Sequence, residues 1–507
     1  MKGLTDQQRS TLILLTASAG CAMTVLDTNI VAIILPTIAR DFGARFAEVE
    51  WVVSTYVLCF AALLLPAGAI ADRYGRKRVF LCGIAAFAVA SLACGVASSA
   101  VMLYLARAFQ GAGAAFLLAP ALAVIGHAFH EEAARNRAWA VWGVVMGLTM
   151  VLAPVIGGLI AHVLGWRWAF HVNLPLCLAL AGAAWLVVKE SRDEDARRLD
   201  PAGILLFAAT MLGCTWGLIN GQAQGWTSAA ALAGFAGGAL ALAGFILVER
   251  AQSRPMLDLG LFRNPRLVGA VWAMFAYAAC AQVMASLLPM FIQNGFGRSA
   301  LQAGFAMAPF ALAMLVFPQV GRRLGRSLSS RSILALGLAV VGAGNALTAV
   351  GARLGDWPVV MIGMLVLGSG GGLLNGETQK AIMSIVPPGR AGMASGVSTT
   401  ARFTGILLGF AALSGVLATA VRDQVSSGPC EAVGACGQAR RFADAVVAGD
   451  LPGFLGGTAG APVASALRHA QSFYSHGFSS TLVVAAIAAW ISALAVWTLM
   501  GRGRADR

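Results

Sequence analysis

Asp27 is the only carboxylate well inside any of the long apolar runs of this 507-residue chain, and it interrupts the stretch from Leu12 to Pro36. A charge placed in hydrocarbon costs about 3 kcal/mol on insertion scales, so an acid in such a run is a candidate for binding a proton. A basic residue of comparable depth, Arg107, lies in Leu105-Ala106-Arg107-Ala108-Phe109-Gln110-Gly111-Ala112-Gly113-Ala114-Ala115. At helical rise Asp27 lies roughly 13 Å from the Pro36 end of its run, and Arg107 about 10 Å from the matching end of its own, so the two are expected to meet. Desolvation favours a protonated carboxyl and a touching guanidinium favours the ionised one, so such a pair ties proton binding to contact. Gln110, three residues beyond Arg107, shares nearly the same helical face and extends the polar patch. Asn29 adds a polar group beside Asp27. Two plainer arrangements stay open: a static pair that only sets helix register, or an Asp27 that merely bonds Thr24, Asn29 or a neighbouring helix.

A second concentration of charge is the turn Gly68-Ala69-Ile70-Ala71-Asp72-Arg73-Tyr74-Gly75-Arg76-Lys77-Arg78, set between the apolar runs Trp51–Ile70 and Val79–Val96. Asp72 is placed to pair with an arginine or to meet a helix N-terminus. Gly68 and Gly75 would allow close helix approach and chain reversal. Further on, Gly143, Gly147, Pro154, Gly157 and Gly158 fall in one run, where the proline kinks a helix and the glycines permit close contact. Late in the chain Arg402 stands two turns inside a run, and Glu377, the nearest acid, is its expected partner. The adjoining Gly368-Ser369-Gly370-Gly371-Gly372 stretch lets backbones approach, and Asn375 adds a polar contact.

Only membrane-spanning helices can hold these residues in place. The chain is 58% hydrophobic and 11% charged, against about 25% charged for soluble domains, and its mean hydropathy is +0.77. Fourteen apolar runs are long enough to cross a bilayer, which takes about 20 residues. Most Lys and Arg fall on the loops that share a side with the N-terminus, so both termini are expected in the cytoplasm. The net charge of +14 is dispersed over these loops, a topology signal and not a nucleic-acid surface. No cleaved signal is expected, since the first run is too long and carries Asp27. Most of the nine cysteines lie inside spans without metal-ligand spacing and read as packing residues. Cys430 and Cys436 fall in the long outer loop 422–477, where a disulfide is plausible. His469 and His476, near the last span, read as interface residues in preference to a metal site.

The turn residues Gly68, Asp72, Arg73, Gly75 and Arg76 resemble the signature loop between helices 2 and 3 of the major facilitator superfamily. Leu26-Asp27-Thr28-Asn29 through Leu35-Pro36 resembles that family's first-helix motif, and the Arg107-Gln110-Gly111-Gly113 set its fourth-helix motif. The fifth run resembles the motif that marks exporters, with Thr149 and Ala153 standing where glycine is usual. Arg322, Arg323, Gly325 and Arg326 align with the first turn as a degenerate internal repeat. Six plus two plus six spans resembles the fourteen-helix drug:proton antiporter family. The resemblance implies an all-α membrane protein of the major facilitator fold. Its parts would be a six-helix bundle over 1–190, a cytoplasmic linker with two inserted helices over 191–255, and a second six-helix bundle over 256–507 carrying the 422–477 loop. It further implies proton-coupled efflux of hydrophobic small molecules across the cytoplasmic membrane by alternating access. The proton gradient would supply the energy, with no cofactor. Asp27 and Arg107 would couple protons, Asn29, Gln110, Glu377 and Arg402 would line a polar cavity, and the Gly68–Arg76 turn would latch one state. A periplasmic adaptor stays open, because no feature demands one.

Other classes find little support. No nucleotide-binding P-loop, zinc cluster or nucleophile elbow occurs, and Gly111-Ala112-Gly113 and Gly370 lie inside spans, away from any strand. An enzyme or an ATP-driven pump is therefore not expected. An uptake symporter or a non-transporting sensor on the same scaffold remains the alternative.

Overall fold

Backbone groups in a bilayer must find partners within the chain, and a continuous apolar run satisfies them as an α-helix. The computed structural model describes residues 6–44, 46–129, 131–192, 200–252, 259–386, 391–427, 439–449 and 461–501, and among these it contains helices and no strand. In chain order these are α1 (Asp6–Phe42), α2 (Phe46–Tyr74), α3 (Arg76–Gly95), α4 (Ala100–Ala128), α5 (Glu132–Val163), the short α6 (Trp168–His171), α7 (Asn173–Val187), α8 (Pro201–Gln224) and α9 (Ala229–Ala251). They continue with α10 (Pro265–Tyr277), a π turn over Ala278–Gln282, α11 (Met284–Asn294), α12 (Ala300–Ala306), α13 (Ala308–Leu324), α14 (Ser330–Leu354), α15 (Trp357–Ile385), α16 (Ala391–Ser427), α17 (Ala439–Ala448) and α18 (Ala461–Gly501). Among the described residues thirteen helices are long and apolar enough to cross a membrane, and α2, bent by 46° between Glu48–Leu64 and Pro66–Tyr74, makes a fourteenth if it is taken as one span. Pro66 explains the bend, since it removes one backbone donor and crowds the preceding turn. The protein is a multi-pass membrane protein. Large apolar side chains such as Phe109, Leu178 and Leu240 stand exposed on its surface, as lipid-facing residues do.

Local chemistry sets where the helices begin. Ser99, Ser228, Ser299, Ser329 and Asp356 each accept a bond from a backbone N–H in the first turn of α4, α9, α12, α14 and α15. Gly355, with φ of 68°, ends α14 in the left-handed conformation.

The chain divides into two compact units, residues 1–31 with 51–208 and residues 32–50 with 209–507, so α1 and α2 contribute to both. In the first unit α3 packs on α4 and α7. Glycine sets the α3–α4 spacing: a β-carbon at Gly83 would lie 2.3 Å from the Phe116 carbonyl oxygen, and one at Gly113 would lie 2.7 Å from the Phe87 nitrogen. In the second unit α14 packs on α15 and α18, and α13 on α15. Gly368 of α15 faces the Phe310 carbonyl of α13 while Gly370 faces the Val341 nitrogen of α14. The glycine-rich stretch therefore serves two neighbours at once. Helices α8 and α9 meet backbone to backbone, Gly213 against Gly238 and Gly217 against Gly234.

Part of the segment between α16 and α18 is helical. Within α17, Phe442, Ala443, Val446 and Val447 are buried, and Arg422 of α16 bridges Asp444 at 2.8 Å. The last helix starts at Ala461, well before the apolar run that marks its span. Cys430 and Cys436 lie outside the described residues. The turn at Gly325 does not repeat the one at Gly75: its φ is −65°, against 116° at Gly75.

Candidate functional site

Five helices of the first unit converge on one buried polar cluster. Asp27 of α1 and Arg107 of α4 are each 1% exposed, and Arg107 Nη1 donates to Asp27 Oδ2 at 2.5 Å. The other carboxylate oxygen, Oδ1, accepts from Gln110 Nε2 at 2.8 Å and from Asn173 Nδ2 of α7 at 3.0 Å. Gln110 and Asn173 also donate to Ser91 Oγ of α3, at 2.8 and 3.3 Å. Arg107 also donates Nε to the Val52 carbonyl of α2 at 3.1 Å and Nη1 to Gln110 Oε1 at 2.6 Å. Its guanidinium lies 4.0 Å from the centre of the Tyr56 ring, a cation–π contact strengthened by desolvation. Asp27 thus accepts three N–H bonds and one formal charge, the arrangement that makes a buried ion pair tolerable.

Glycine makes room for it. A β-carbon at Gly111 would lie 2.2 Å from the Tyr56 carbonyl oxygen, so this glycine lets α4 approach α2 closely enough for Arg107, one turn earlier, to reach Val52. Gly157 of α5 rests against Ile30 of α1, with a β-carbon there 3.1 Å from the Ile30 Cα.

The Gly75 turn forms a second, simpler constellation. Asp72 Oδ1 accepts from Arg76 Nε at 2.8 Å, while Arg73 is exposed and lies over Tyr74. Glu190, just beyond α7, accepts from the backbone N–H groups of Lys77 and Arg78 at 3.0 and 3.2 Å, placing a carboxylate on the N-terminus of α3. Arg76 N–H donates to the Ser191 carbonyl at 2.9 Å. Glu190 and Ser191, where the chain enters the expected cytoplasmic linker, are therefore docked on the start of α3. Gly75 has φ of 116°, and a β-carbon there would lie 2.6 Å from Glu190 Oε1. Gly75→Ala is expected to cost about 1–3 kcal/mol in strain and to lower the thermal midpoint of the purified protein. Gly68→Ala should leave it unchanged, because the nearest atom to a β-carbon at Gly68 is 3.9 Å away. Close packing at Gly68, expected from the sequence, is thus absent.

Several other expected contacts differ. Glu377 does not pair with Arg402: it accepts from Ser330 Oγ at 2.6 Å and from Lys380 Nζ at 3.1 Å. Arg402 Nε instead donates to Gln282 Oε1 at 2.9 Å, at the π turn of the α10–α11 span. The extra residue in that turn rotates Gln282 toward α16, a register shift that apolar patterning does not reveal. Asn29 bonds the Val25 carbonyl of its own helix and does not join the Asp27 cluster. In α5, Pro154 lies inside the helix and is buried, as are Gly157 and Gly158, while Gly147 is half-buried. Gly143 is exposed with nothing within 4 Å of a β-carbon, so it makes no close helix contact. Asp27 is not alone as a buried acid, since Glu50 and Glu249 are 1% and 2% exposed. Among the described residues no group of three or more His, Cys, Asp or Glu could hold a metal ion.

Many apolar spans, a charge pair locked among their helices and a basic turn define a multi-pass membrane protein that holds charge inside its helix bundle. Residues 17–410 match the Major Facilitator Superfamily, and the chain belongs to that family. It is 35% identical over 408 residues to the multidrug resistance protein Stp of Mycobacterium tuberculosis, covering 80% of this chain and 76% of that one. It is 30% identical over 499 residues to the tetracenomycin C resistance and export protein of Streptomyces glaucescens, covering 96% and 91%. Among solved structures, an inward-facing, occupied bacterial homologue of the human lysosomal transporter Spinster shares the fold. Its TM-score is 0.64, with 17% identity and 97% coverage of both chains.

Proposed function

We propose that this protein exports hydrophobic small molecules across the cytoplasmic membrane in exchange for protons, by alternating access, with both termini in the cytoplasm. Export follows the relatives, which are named for multidrug resistance and for tetracenomycin C resistance and export. The observation that carries the proton half is the Asp27 cluster. A carboxylate only accepts hydrogen bonds, whereas a protonated carboxyl must donate one. A proton on Oδ2 would meet the Arg107 N–H head-on, so uptake at Asp27 expels Arg107 from its ion pair. The displaced guanidinium keeps the Val52 carbonyl, Gln110 Oε1 and the Tyr56 face, which lowers the cost of the released state. Because the bonds at stake join α1 to α4 and α7, gain and loss of one proton changes how these helices are tied together. That is the coupling an antiporter needs. The Asp72–Arg76 and Glu190 contacts would stabilise one of the two arrangements. Hydrophobic dyes loaded into cells provide the test. Efflux should require this protein and stop when an uncoupler collapses the proton gradient, and efflux that persists with the uncoupler present would contradict proton drive.

A further inference from the structure

Glu50, on α2, belongs to the segment that α1 and α2 lend to the second unit, and it is 1% exposed. Its Oε1 lies 2.8 Å from Ser414 Oγ of α16, and its Oε2 has no hydrogen-bond partner among the described residues. The contrast with Asp27, which has three N–H donors, one of them a guanidinium, is complete. Asp41 and Glu48 on the same segment and Asp423 on α16 carry like charge, and among the described residues none of Arg40, Arg402 and Arg422 reaches the Glu50 Oε2, Arg402 meeting Gln282 and Arg422 being bridged to Asp444.

Proton counting at Ser414 favours the neutral form of the acid. Ser414 Oγ is also hydrogen-bonded to the Phe410 carbonyl one turn back. A serine hydroxyl carries one proton, and neither a carbonyl nor a carboxylate can supply another. With that proton on Phe410, the contact to Glu50 needs a hydrogen from the carboxyl. With it on Glu50, the hydroxyl and carbonyl oxygens touch with no hydrogen between them. A neutral carboxyl satisfies both contacts and leaves no unpaired charge buried.

We propose that Glu50 is a second proton-binding residue of the transport cycle, protonated while it meets Ser414 and ionised when that contact parts. This rests on the proton-driven reading above. In the step itself the Glu50 O–H breaks and its proton passes to water, while Ser414 keeps its hydroxyl proton on the Phe410 carbonyl. No oxidation or other co-reactant is involved.

Two readouts test it on the full-length protein. In lipid nanodiscs near neutral pH, infrared difference spectra should show a neutral-carboxyl C=O band that Glu50→Gln, nearly identical in shape, removes and that Ser414→Ala shifts in frequency. Identical spectra for wild type and Glu50→Gln would overturn the protonated assignment. In proteoliposomes under an imposed pH gradient, with ethidium as the probe, Glu50→Gln should sustain a concentration ratio tenfold lower per unit of pH gradient, because one proton fewer is coupled. An unchanged ratio would overturn the coupling role. Wild-type protein that moves no ethidium would contradict the efflux reading and the coupling role with it, while the infrared comparison still decides the protonation of Glu50.

Discussion

Arg107→Ala is expected to abolish efflux and to destabilise the protein by on the order of 3–5 kcal/mol, the usual cost of leaving one member of a buried ion pair alone. The reason is visible in what remains. Asp27 would keep Gln110 and Asn173 but lose its cation, and the Val52 carbonyl and Gln110 Oε1 would lose donors as well. Adding Asp27→Asn to the Arg107→Ala protein should recover part of the thermal midpoint, because it removes the orphaned charge, without recovering efflux. A double-mutant cycle on the melting data measures that coupling directly. Additive losses would mean that the pair contributes nothing as a pair. Arg107→Lys should retain more stability than alanine yet little efflux, since one ammonium cannot reach Val52, Gln110 and Asp27 together.

Gly111→Ala is expected to be nearly as damaging without touching a charged group. The new β-carbon would fall 2.2 Å from the Tyr56 carbonyl oxygen and 2.9 Å from its carbon. These are backbone atoms of a neighbouring helix, so α4 must move away from α2. Overpacking of this kind costs about 1–3 kcal/mol, and the displacement carries Arg107 away from Val52 and Tyr56. Loss of efflux together with a lowered melting point is the expected outcome. Gly126→Ala on the same helix, where nothing lies within 4 Å, should leave both unchanged. A Gly111→Ala protein with wild-type efflux would show that the α2–α4 spacing does not position the site.

How legible these features are from the residues alone depends on how much each owes to its neighbours. The spans are legible because lipid imposes a single requirement, a long apolar run, on every one of them. Asp27 and Arg107 stand out for the same reason, being charges where charge is expensive. Ser91, Asn173 and Tyr56 complete the cluster but escape notice: neutral polar residues are ordinary in spans, and only the packing of α2, α3 and α7 gives them partners. Glu50 escapes because it immediately precedes the apolar run starting at Trp51, where an acid looks interfacial. The Glu377–Arg402 pairing fails because a π turn, with no signature in the apolar pattern, turns Gln282 into the arginine's acceptor. Glu190 is hidden in a charged stretch whose only sequence signal is solubility, although its carboxylate closes the Gly75 turn.

The central claim is that protonation of Asp27 drives transport. Its most direct test is the Asp27→Asn protein in proteoliposomes, with ethidium transport measured under an imposed pH gradient and the thermal midpoint recorded alongside. Asparagine keeps the size of the side chain and cannot exchange a proton. The account predicts a folded protein that no longer builds an ethidium gradient from a pH gradient. An Asp27→Asn protein that sustains the wild-type gradient would contradict it and remove Asp27 from the coupling mechanism.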